Sequence, residues 1–473
     1  MISAKSLASN FSIQATGKVL SVLIGLVVIA VITRSLGRHD FGEYTTAITF
    51  LQFFGVLVDF GLTLTLIVMI SQKGRDEKKI VGNFFGLRLV SGLLLFSLAP
   101  IVVLFFDYST VVKWAVLYGA LSYFLMGGAT MLVGIFQKHE AMWRVAVAEL
   151  INRAIIFFLV LLVAYFQLGV VAFIASSILA NGVWLWMMVR FAKPYVTVTP
   201  LFDFGVWKEI FFLSWPIAIS IVFNLLYLKG DILFLAHFRD PSEVGLYGIS
   251  YRVLDVLTVL PTMFMGLVLP SFVHLWSTGD KEKFGQYLKR VFDVFMVAII
   301  PIVVGTQIVA GDVIALIAGN EFLPATAVLQ WIIFAMFFVF VGTLFGHLVV
   351  AINKQKQMTW GYLFVAILSV IGYMIFIPTY GMWGAVWVTL FSECLIALLT
   401  FAVVSSTIKI FPSLVVFLKA LISAAVMYFI LAWIPVRYLA LDLLLGGGIY
   451  IALIFSLGAV KISSLKTMFV SQK

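Results

Sequence analysis

Charge is scarce in this sequence. Only 11% of its 473 residues are Asp, Glu, Lys or Arg, whereas 63% are hydrophobic. Soluble globular domains carry about 25% charged residues. The composition therefore excludes a soluble globular protein and predicts a chain that crosses a membrane several times.

Cysteine, histidine and nucleotide-binding motifs are scarce as well. Cys394 is the single cysteine, so a disulfide framework is excluded and the thiol is expected to pack inside an apolar helix. The five histidines are scattered without metal-ligand spacing. The GNFFG segment at 82–86 lacks the Lys and Ser/Thr of a phosphate-binding loop and fits close helix packing. We therefore predict no catalytic residues, no metal site, no cofactor and no nucleotide-driven motor.

The basic residues are unevenly distributed. A net charge of +10 would favour nucleic-acid binding in a soluble protein, but here most Lys and Arg lie in alternate loops between apolar runs. Cytoplasmic loops of membrane proteins are enriched in Lys and Arg. We therefore expect both termini to be cytoplasmic and no nucleic acid to bind. The first ten residues lack the apolar core and cleavage site of a secretory signal, so the first helix is expected to be an uncleaved anchor.

Long apolar runs separated by short polar breaks are abundant. A run of about 20 apolar residues crosses about 30 Å of hydrocarbon as a helix, and helices are expected because lipid leaves an open backbone unsatisfied. The predicted fold is an all-α integral membrane protein with about 14 transmembrane helices. The predicted helices span 12–33, 41–70, 80–106, 111–136, 145–166, 170–191, 209–236, 244–273, 291–317, 325–352, 358–379, 382–405, 411–433 and 438–460.

The chain contains an internal repeat. The segment DFGEY at 40–44 lines up with EVGLY at 243–247, which lies 203 residues later, and LVGIFQKHEAM at 132–142 matches LVVAINKQKQM at 348–358. Both repeats would begin on the cytoplasmic side. They are therefore predicted to be parallel repeats related by an axis along the membrane normal, as in transporters with a central site between halves.

The repeat and the composition divide the chain into four parts. These are an N-terminal six-helix repeat (1–192), a cytoplasmic linker (193–208), a C-terminal six-helix repeat (209–408) and two additional transmembrane helices (409–473). The linker, KPYVTVTPLFDFGVWK, contains prolines and no long apolar run, which is typical of a domain boundary.

Taken together, these features resemble a known family. The G-x-Y corner after the first helix, the polar Lys-containing break after the fourth, the six-plus-six repeat and the two added helices are similar to the O-antigen and exopolysaccharide flippases of the multidrug/oligosaccharidyl-lipid/polysaccharide exporter superfamily. The resemblance implies a non-enzymatic protein of a bacterial inner membrane that moves an undecaprenyl-diphosphate-linked oligosaccharide to the outer leaflet by alternating access. The partners it implies are this lipid-linked oligosaccharide, membrane lipids, H⁺ or Na⁺, and other polysaccharide-assembly proteins.

Basic residues inside the helices are the candidate substrate contacts. A charge in the middle of a lipid-exposed helix costs about 2.5–3.5 kcal/mol, so such residues are expected to face a bundle interior or a watery cavity. Arg88 is the preferred diphosphate contact because its own helix has no acidic residue within a turn. For Lys18, snorkelling to the headgroups is an alternative. The predicted diphosphate-binding residues are Arg88, Lys18, Lys229 and Arg252.

Acidic residues at comparable depth have two interpretations, a coupling-ion site or a structural ion pair. Asp59 could neutralise Arg88 or Lys18 or bind a cation. Glu149 precedes Arg153 by four residues, which is the order that favours an intrahelical pair, and Arg252 and Asp255 invite the same interpretation. The residues assigned to ion coupling or charge pairing are Asp59, Asp231, Asp255, Glu393, Glu149 and Arg153.

Two other functions compete with the flippase. A cation-coupled multidrug antiporter of the same superfamily would have twelve helices and an acid-dominated cavity, although the buried acidic residues here match the buried basic ones in number. A membrane polysaccharide polymerase or glycosyltransferase would need a large extracytoplasmic loop with catalytic residues, and every predicted outer loop is short.

Overall fold

The computed structural model describes residues 4–72, 74–434 and 438–459, and within these ranges the secondary structure is helical, with no β-strand. The helices of this part of the chain are α1 (Ala4–Asp59), α2 (Leu62–Ile70), α3 (Glu77–Val102), α4 (Thr110–Met131), α5 (Val133–Lys138), α6 (Met142–Tyr165), α7 (Gly169–Ala192), α8 (Phe204–Phe238), α9 (Pro241–Ser277), α10 (Lys281–Ala318), α11 (Ala325–Ala351), α12 (Gln355–Tyr380), α13 (Met382–Ile408), α14 (Val415–Trp433) and α15 (Leu439–Ser456).

Thirteen helical stretches in the described ranges are long and apolar enough to cross a membrane. The first of them, Leu20–Ile70, contains 51 residues. At 1.5 Å per residue it would extend about 76 Å, more than twice the hydrocarbon thickness, so it accounts for two passes. Gly37, with φ 70° and ψ 177°, bends α1 between these passes, a conformation that glycine adopts without steric cost. These observations confirm the prediction of an all-α membrane protein with about 14 transmembrane helices.

The second pass is broken near its end. Phe60 and Gly61 have φ values of 44° and 73°, so α1 stops at Asp59 and the pass continues as α2. The Thr63 hydroxyl donates a hydrogen bond to Asp59 Oδ1 at 2.7 Å. The break therefore places the Asp59 carboxylate at a helix terminus, where its direction is fixed by the following turn.

Two compact units can be distinguished in the chain. The first comprises Met1–Gly248, Ile317–Glu321 and Tyr373–Ala385, and the second comprises the remaining residues. In the first unit, α4 packs along α7 and α3, and α1 packs along α6. Large buried side chains fill this core, including Leu51, Phe84 and Phe136.

The second unit has a core rich in phenylalanine. Phe295 of α10 and Phe340 of α11 meet edge to face with ring centroids 5.5 Å apart, and Phe345 of α11 meets Phe401 of α13 at 5.0 Å. Such tilted and edge-on pairs are the preferred geometry of aromatic rings. These contacts connect α10, α11 and α13 within that unit.

The segment between α7 and α8 docks closely on α3. The Leu201 backbone N–H donates to the Gly82 carbonyl oxygen at 2.9 Å. A Cβ atom on Gly82 would lie 2.7 Å from the Thr199 carbonyl oxygen, and one on Gly86 would overlap the Leu201 carbonyl oxygen. The glycines of GNFFG therefore make room for this linker, not for another helix as the sequence analysis expected.

Candidate functional site

Arg153 lies inside α6, one of the helices long and apolar enough to cross a membrane, and it is exposed. Its Nε donates to the Ser21 hydroxyl of α1 at 3.1 Å. Lys18 lies one helical turn before Ser21 on α1, although its side chain is outside the described part of the structure. The guanidinium and the lysine position therefore meet on adjoining turns of neighbouring helices.

The expected intrahelical pair between Glu149 and Arg153 is not formed. In the described part of the chain, Glu149 makes no hydrogen bond or ion pair, and Arg153 is directed across to α1. The i, i+4 spacing identifies residues that share one helix face. Here the guanidinium donates a hydrogen bond to a hydroxyl on the adjacent helix instead. Arg153 thus keeps most of its donors available.

Arg88 of α3 lies in a closed environment. Its side chain is 6% exposed, and Nη1 donates to Asp59 Oδ1 at 3.2 Å. The Arg88 Nε is buried without a hydrogen-bond partner, and a Cβ atom on Gly127 of α4 would lie 2.7 Å from Arg88 Nη2. Arg88 is therefore packed between the end of α1 and the backbone of α4, with Asp59 as its charged partner.

Asp231 of α8 is fully buried. The Tyr247 hydroxyl donates to Asp231 Oδ2 at 2.5 Å, and the Tyr373 hydroxyl donates to the Tyr227 carbonyl oxygen at 2.7 Å. Lys229 is half-buried on the same helix, two residues from Asp231. Asp231 thus accepts a hydrogen bond from a tyrosine of α9, whereas Lys229 is less deeply buried.

The second unit contains the remaining predicted site residues. Arg252 Nη1 and Asp255 Oδ2 of α9 form a long ion pair at 3.9 Å, with side-chain exposures of 25% and 41%. Glu393 of α13 is buried at 5% exposure. The two α9 residues are accessible to a ligand, whereas Glu393 is enclosed.

Two ion pairs hold the linker and the first turns of α8 to the N-terminal end of α3 and the residues just before it. Lys79 Nζ lies 2.9 Å from Asp203 Oδ2, and Arg75 Nη2 lies 2.5 Å from Glu209 Oε1. Hydrogen bonding from Lys79 lowers the pKa of Asp203, and hydrogen bonding from Arg75 lowers the pKa of Glu209. The Asn83 amide oxygen also accepts a hydrogen bond from the Asp203 backbone N–H at 2.8 Å.

The repeated G-x-Y segments pack against each other at a site that we call the glycine corner (residues 38–44 and 239–247). A Cβ atom on Gly42 would overlap the Pro241 carbonyl oxygen, and one on Gly245 would overlap the Arg38 carbonyl oxygen. The similarity of these segments is visible in the sequence, whereas their mutual contact is a feature of the fold. The sequence does contain a sign of this contact, since a glycine occupies the same position in both G-x-Y segments.

Comparison with known proteins gives a consistent result. A family model described as "Polysaccharide biosynthesis protein" matches residues 7–276. A probable flippase, AglR, of Haloferax volcanii is 25% identical over 42% of this chain and 43% of its own length. The succinoglycan biosynthesis transport protein ExoT of Rhizobium meliloti is 20% identical over 69% of this chain and 66% of its own length. The matched regions thus span less than two thirds of both relatives.

Solved structures show the same fold. The lipid II flippase MurJ in an inward closed conformation superposes with a TM-score of 0.78 at 15% identity, covering 95% of this chain and 99% of MurJ. A multidrug resistance transporter of the MATE family and MOP superfamily gives a TM-score of 0.66 at 14% identity, covering 82% of this chain and 94% of that structure. At these identities the likeness concerns the fold alone.

Proposed function

Because the chain belongs to the polysaccharide biosynthesis protein family, we propose that it moves an undecaprenyl-diphosphate-linked oligosaccharide from the cytoplasmic to the outer leaflet of a bacterial inner membrane. The family match is the observation that carries this proposal, since it extends from residue 7 to residue 276 and so includes all but the first six residues of the predicted first repeat, and the predicted linker. The chain is a flippase-like, multi-pass transporter of the MOP superfamily, and its relatives bear the names of flippases and transport proteins.

The proposed substrate contacts are basic residues of the helices other than Arg88. A diphosphate carries about two negative charges, and guanidinium and ammonium groups form strong, charge-assisted hydrogen bonds with phosphate oxygens. Arg153 joins Lys18, Lys229 and Arg252 in this role because it is exposed and its Nε alone is engaged, by Ser21. Arg88 could contact the substrate only if its pair with Asp59 opened.

Flipping of a fluorescent undecaprenyl-diphosphate oligosaccharide in proteoliposomes tests both the function and this assignment. Loss of one charge-assisted bond is worth about 1.5–3 kcal/mol, so Arg153→Ala should slow flipping about 10- to 150-fold at unchanged protein abundance. Arg190→Ala, which removes an exposed arginine in the last turn of α7, is the matched control. Wild-type protein that leaves this lipid in its original leaflet would contradict the proposal.

A cation-coupled multidrug antiporter is the second candidate function. The fold likeness to a MATE transporter favours it, as do the buried carboxylates Asp231 and Glu393, which could bind H⁺ or Na⁺. An antiporter would export cationic dyes from cells against a concentration gradient. Dye export without any flipping of the lipid-linked oligosaccharide would select this function over the flippase.

A further inference from the structure

Three potential metal ligands meet at the glycine corner, apart from the proposed substrate contacts. His39, Asp40 and Glu43 each offer one ligand atom, and these atoms all lie within 4.8 Å of one another. Helix geometry explains their proximity, because residues three and four apart lie on one face of a helix. The bend at Gly37 precedes this turn, so the three side chains occupy the first turn of the second pass of α1.

Glu43 is unusual among the three. It is 4% exposed, and its carboxylate makes no hydrogen bond or ion pair in the described part of the chain. The Glu43 oxygens do not belong to the fully buried, unbonded side-chain atoms of the described structure, so the carboxylate reaches the adjoining cavity. Largely buried carboxylates are usually paired, hydrogen-bonded or bound to a metal, and a cation at this position would provide such a partner.

A cavity lies next to Glu43 and has room for an ion or water. It has a volume of about 390 Å³, and Asp107 and His237 line it together with Glu43. His39 and Asp40 do not line this cavity, and their side chains are 54% and 48% exposed. The arginine in its wall is directed elsewhere, since Arg239 donates to the carbonyl oxygens of Ile377 and Thr379. The space around the Glu43 carboxylate is therefore polar and has room for water.

Two other carboxylates in the wall of this cavity already have partners. Asp240 Oδ1 accepts from the Ser242 backbone N–H at 2.8 Å, and Glu243 Oε2 accepts from the Met382 backbone N–H at 3.0 Å. These two carboxylates thus accept hydrogen bonds from backbone N–H groups in the first turns of α9 and α13. Glu43 is therefore the buried acidic residue of the cavity wall whose carboxylate makes no hydrogen bond or ion pair in the described structure.

We propose that His39, Asp40 and Glu43 bind a divalent transition metal ion of the Zn²⁺ type. His39 Nδ1 lies 3.2 Å from Asp40 Oδ1, a separation that two ligands of one tetrahedral ion can adopt at metal–ligand distances of about 2.0–2.2 Å. Imidazole nitrogen combined with carboxylate oxygen suits Zn²⁺ better than Mg²⁺ or Ca²⁺, which prefer oxygen alone. Three protein ligands leave one coordination position open. The proposal is independent of what the protein transports, and it replaces the expectation of no metal site.

Zn²⁺ binding to the purified full-length protein in nanodiscs tests the proposal, with competition against a chromophoric chelator as the measurement. We expect one Zn²⁺ per chain. His39→Asn and Glu43→Gln should each weaken binding by more than the roughly 10- to 100-fold that outer-shell partners contribute to metal affinity. His274→Asn, which removes an exposed histidine near the end of α9, is the matched control and should leave affinity unchanged.

Thermal unfolding in EDTA separates a metal ligand from a structural carboxylate. Without metal, the melting temperature of Glu43→Gln should equal or exceed that of the wild-type protein, because the variant carries no charge at this largely buried position. Added Zn²⁺ should raise the melting temperature of the wild-type protein and leave that of Glu43→Gln unchanged.

Three outcomes would overturn the proposal. They are no Zn²⁺ binding by the wild-type protein at millimolar concentration, unchanged affinity in both His39→Asn and Glu43→Gln, and loss of binding in Asp107→Asn with retention in His39→Asn. His39 and Asp107 are both exposed, so these variants are expected to fold.

Discussion

Gly42 and Gly245 contact each other's helical turn reciprocally. A Cβ atom on Gly42 would lie 3.1 Å from the Gly245 backbone nitrogen, and one on Gly245 would lie 3.3 Å from the Gly42 backbone nitrogen. The carbonyl oxygens that these Cβ atoms would overlap belong to Arg38 and Pro241, which are themselves 203 residues apart. The contact therefore joins equivalent atoms of the two G-x-Y segments, and it tolerates no side chain at either glycine.

Alanine at either corner glycine is expected to destabilise the protein and to slow transport. Overpacking a close contact typically costs about 1–3 kcal/mol, and here the obstacle is backbone, which cannot rotate away. Gly42→Ala and Gly245→Ala should therefore both lower the melting temperature. Gly266→Ala on α9 is the matched control, because a Cβ there would meet nothing within 4 Å. Equal melting temperatures for all three variants would contradict the close contact.

Arg88→Ala is expected to reduce protein abundance and to leave the transport rate per folded molecule largely intact. Removing one partner of a buried ion pair costs about 3–5 kcal/mol, and the cost here should lie below that range because the Asp59 side chain is 29% exposed. The double variant Arg88→Ala, Asp59→Asn should recover much of the lost abundance. Membrane abundance measured beside lipid flipping separates this result from that of Arg153→Ala.

One result would contradict the structural role of Arg88, namely normal abundance of Arg88→Ala in the presence of intact Asp59. If this abundant variant also lost flipping, Arg88 would be a substrate contact.

The linker is expected to detach from α3 at acidic pH. The pKa values of Asp203 and Glu209 are lowered in the folded protein by their partners. A group with a depressed folded pKa stabilises the fold above its unfolded pKa, and this stabilisation is lost as pH falls through the folded value. Both ion pairs should thus persist at neutral pH. They should weaken as the pH falls below 3.8 and 4.5, the ordinary pKa values of Asp and Glu side chains.

Pepsin, which cleaves in acid, provides the measurement for this linker. Cleavage within 193–208 should rise as pH falls below about 4, and Asp203→Asn should be cleaved at higher pH than the wild-type protein. Asp280→Asn, which removes the acid paired with Lys283 at 2.9 Å, is a control outside the linker. Cleavage that depends equally on both aspartates would show general unfolding.

Helix positions could be predicted from the sequence because each pass needs an apolar run of fixed length. The breaks within passes could not, since the φ values of Phe60 and Gly61 follow from packing and not from composition. The Asp59–Arg88 contact joins residues on separate helices. From the sequence, Asp59 could equally have neutralised Lys18 or bound a cation.

Other features of the site depend on neighbours that spacing does not reveal. The i, i+4 rule favoured a Glu149–Arg153 pair, but Ser21 on α1 accepts from Arg153. The burial of Glu43 could not be predicted from the sequence either, because only the fold places this carboxylate against the second G-x-Y segment. Whether the two repeats and the added helices are independent domains remains a prediction.

The orientation of the chain can be tested by cysteine labelling in a Cys394→Ala background. Cysteines at Lys78, in the first turn of α3, and at Lys354 should react only from the cytoplasm, because the segments around them are rich in basic residues. A cysteine at Asp107, in the exposed loop before α4, should react only from outside. Arg437 would serve as a second outer position, and it falls outside the described residues. Labelling of Lys78 and Asp107 from the same side would contradict the predicted topology.

Flipping is expected to respond to membrane potential. Outward movement of about two negative charges from a negative interior gains about 2.3 kcal/mol per charge for each 100 mV, or roughly 4–5 kcal/mol in total. An inside-negative potential imposed across proteoliposomes with valinomycin and K⁺ should therefore accelerate export, and the reversed potential should slow it. Arg153→Ala should keep this dependence at a lower rate, because the variant changes substrate binding and not substrate charge. If the rate is the same at every potential, with and without H⁺ or Na⁺ gradients, counter-ions must move with the diphosphate and the protein transports no net charge.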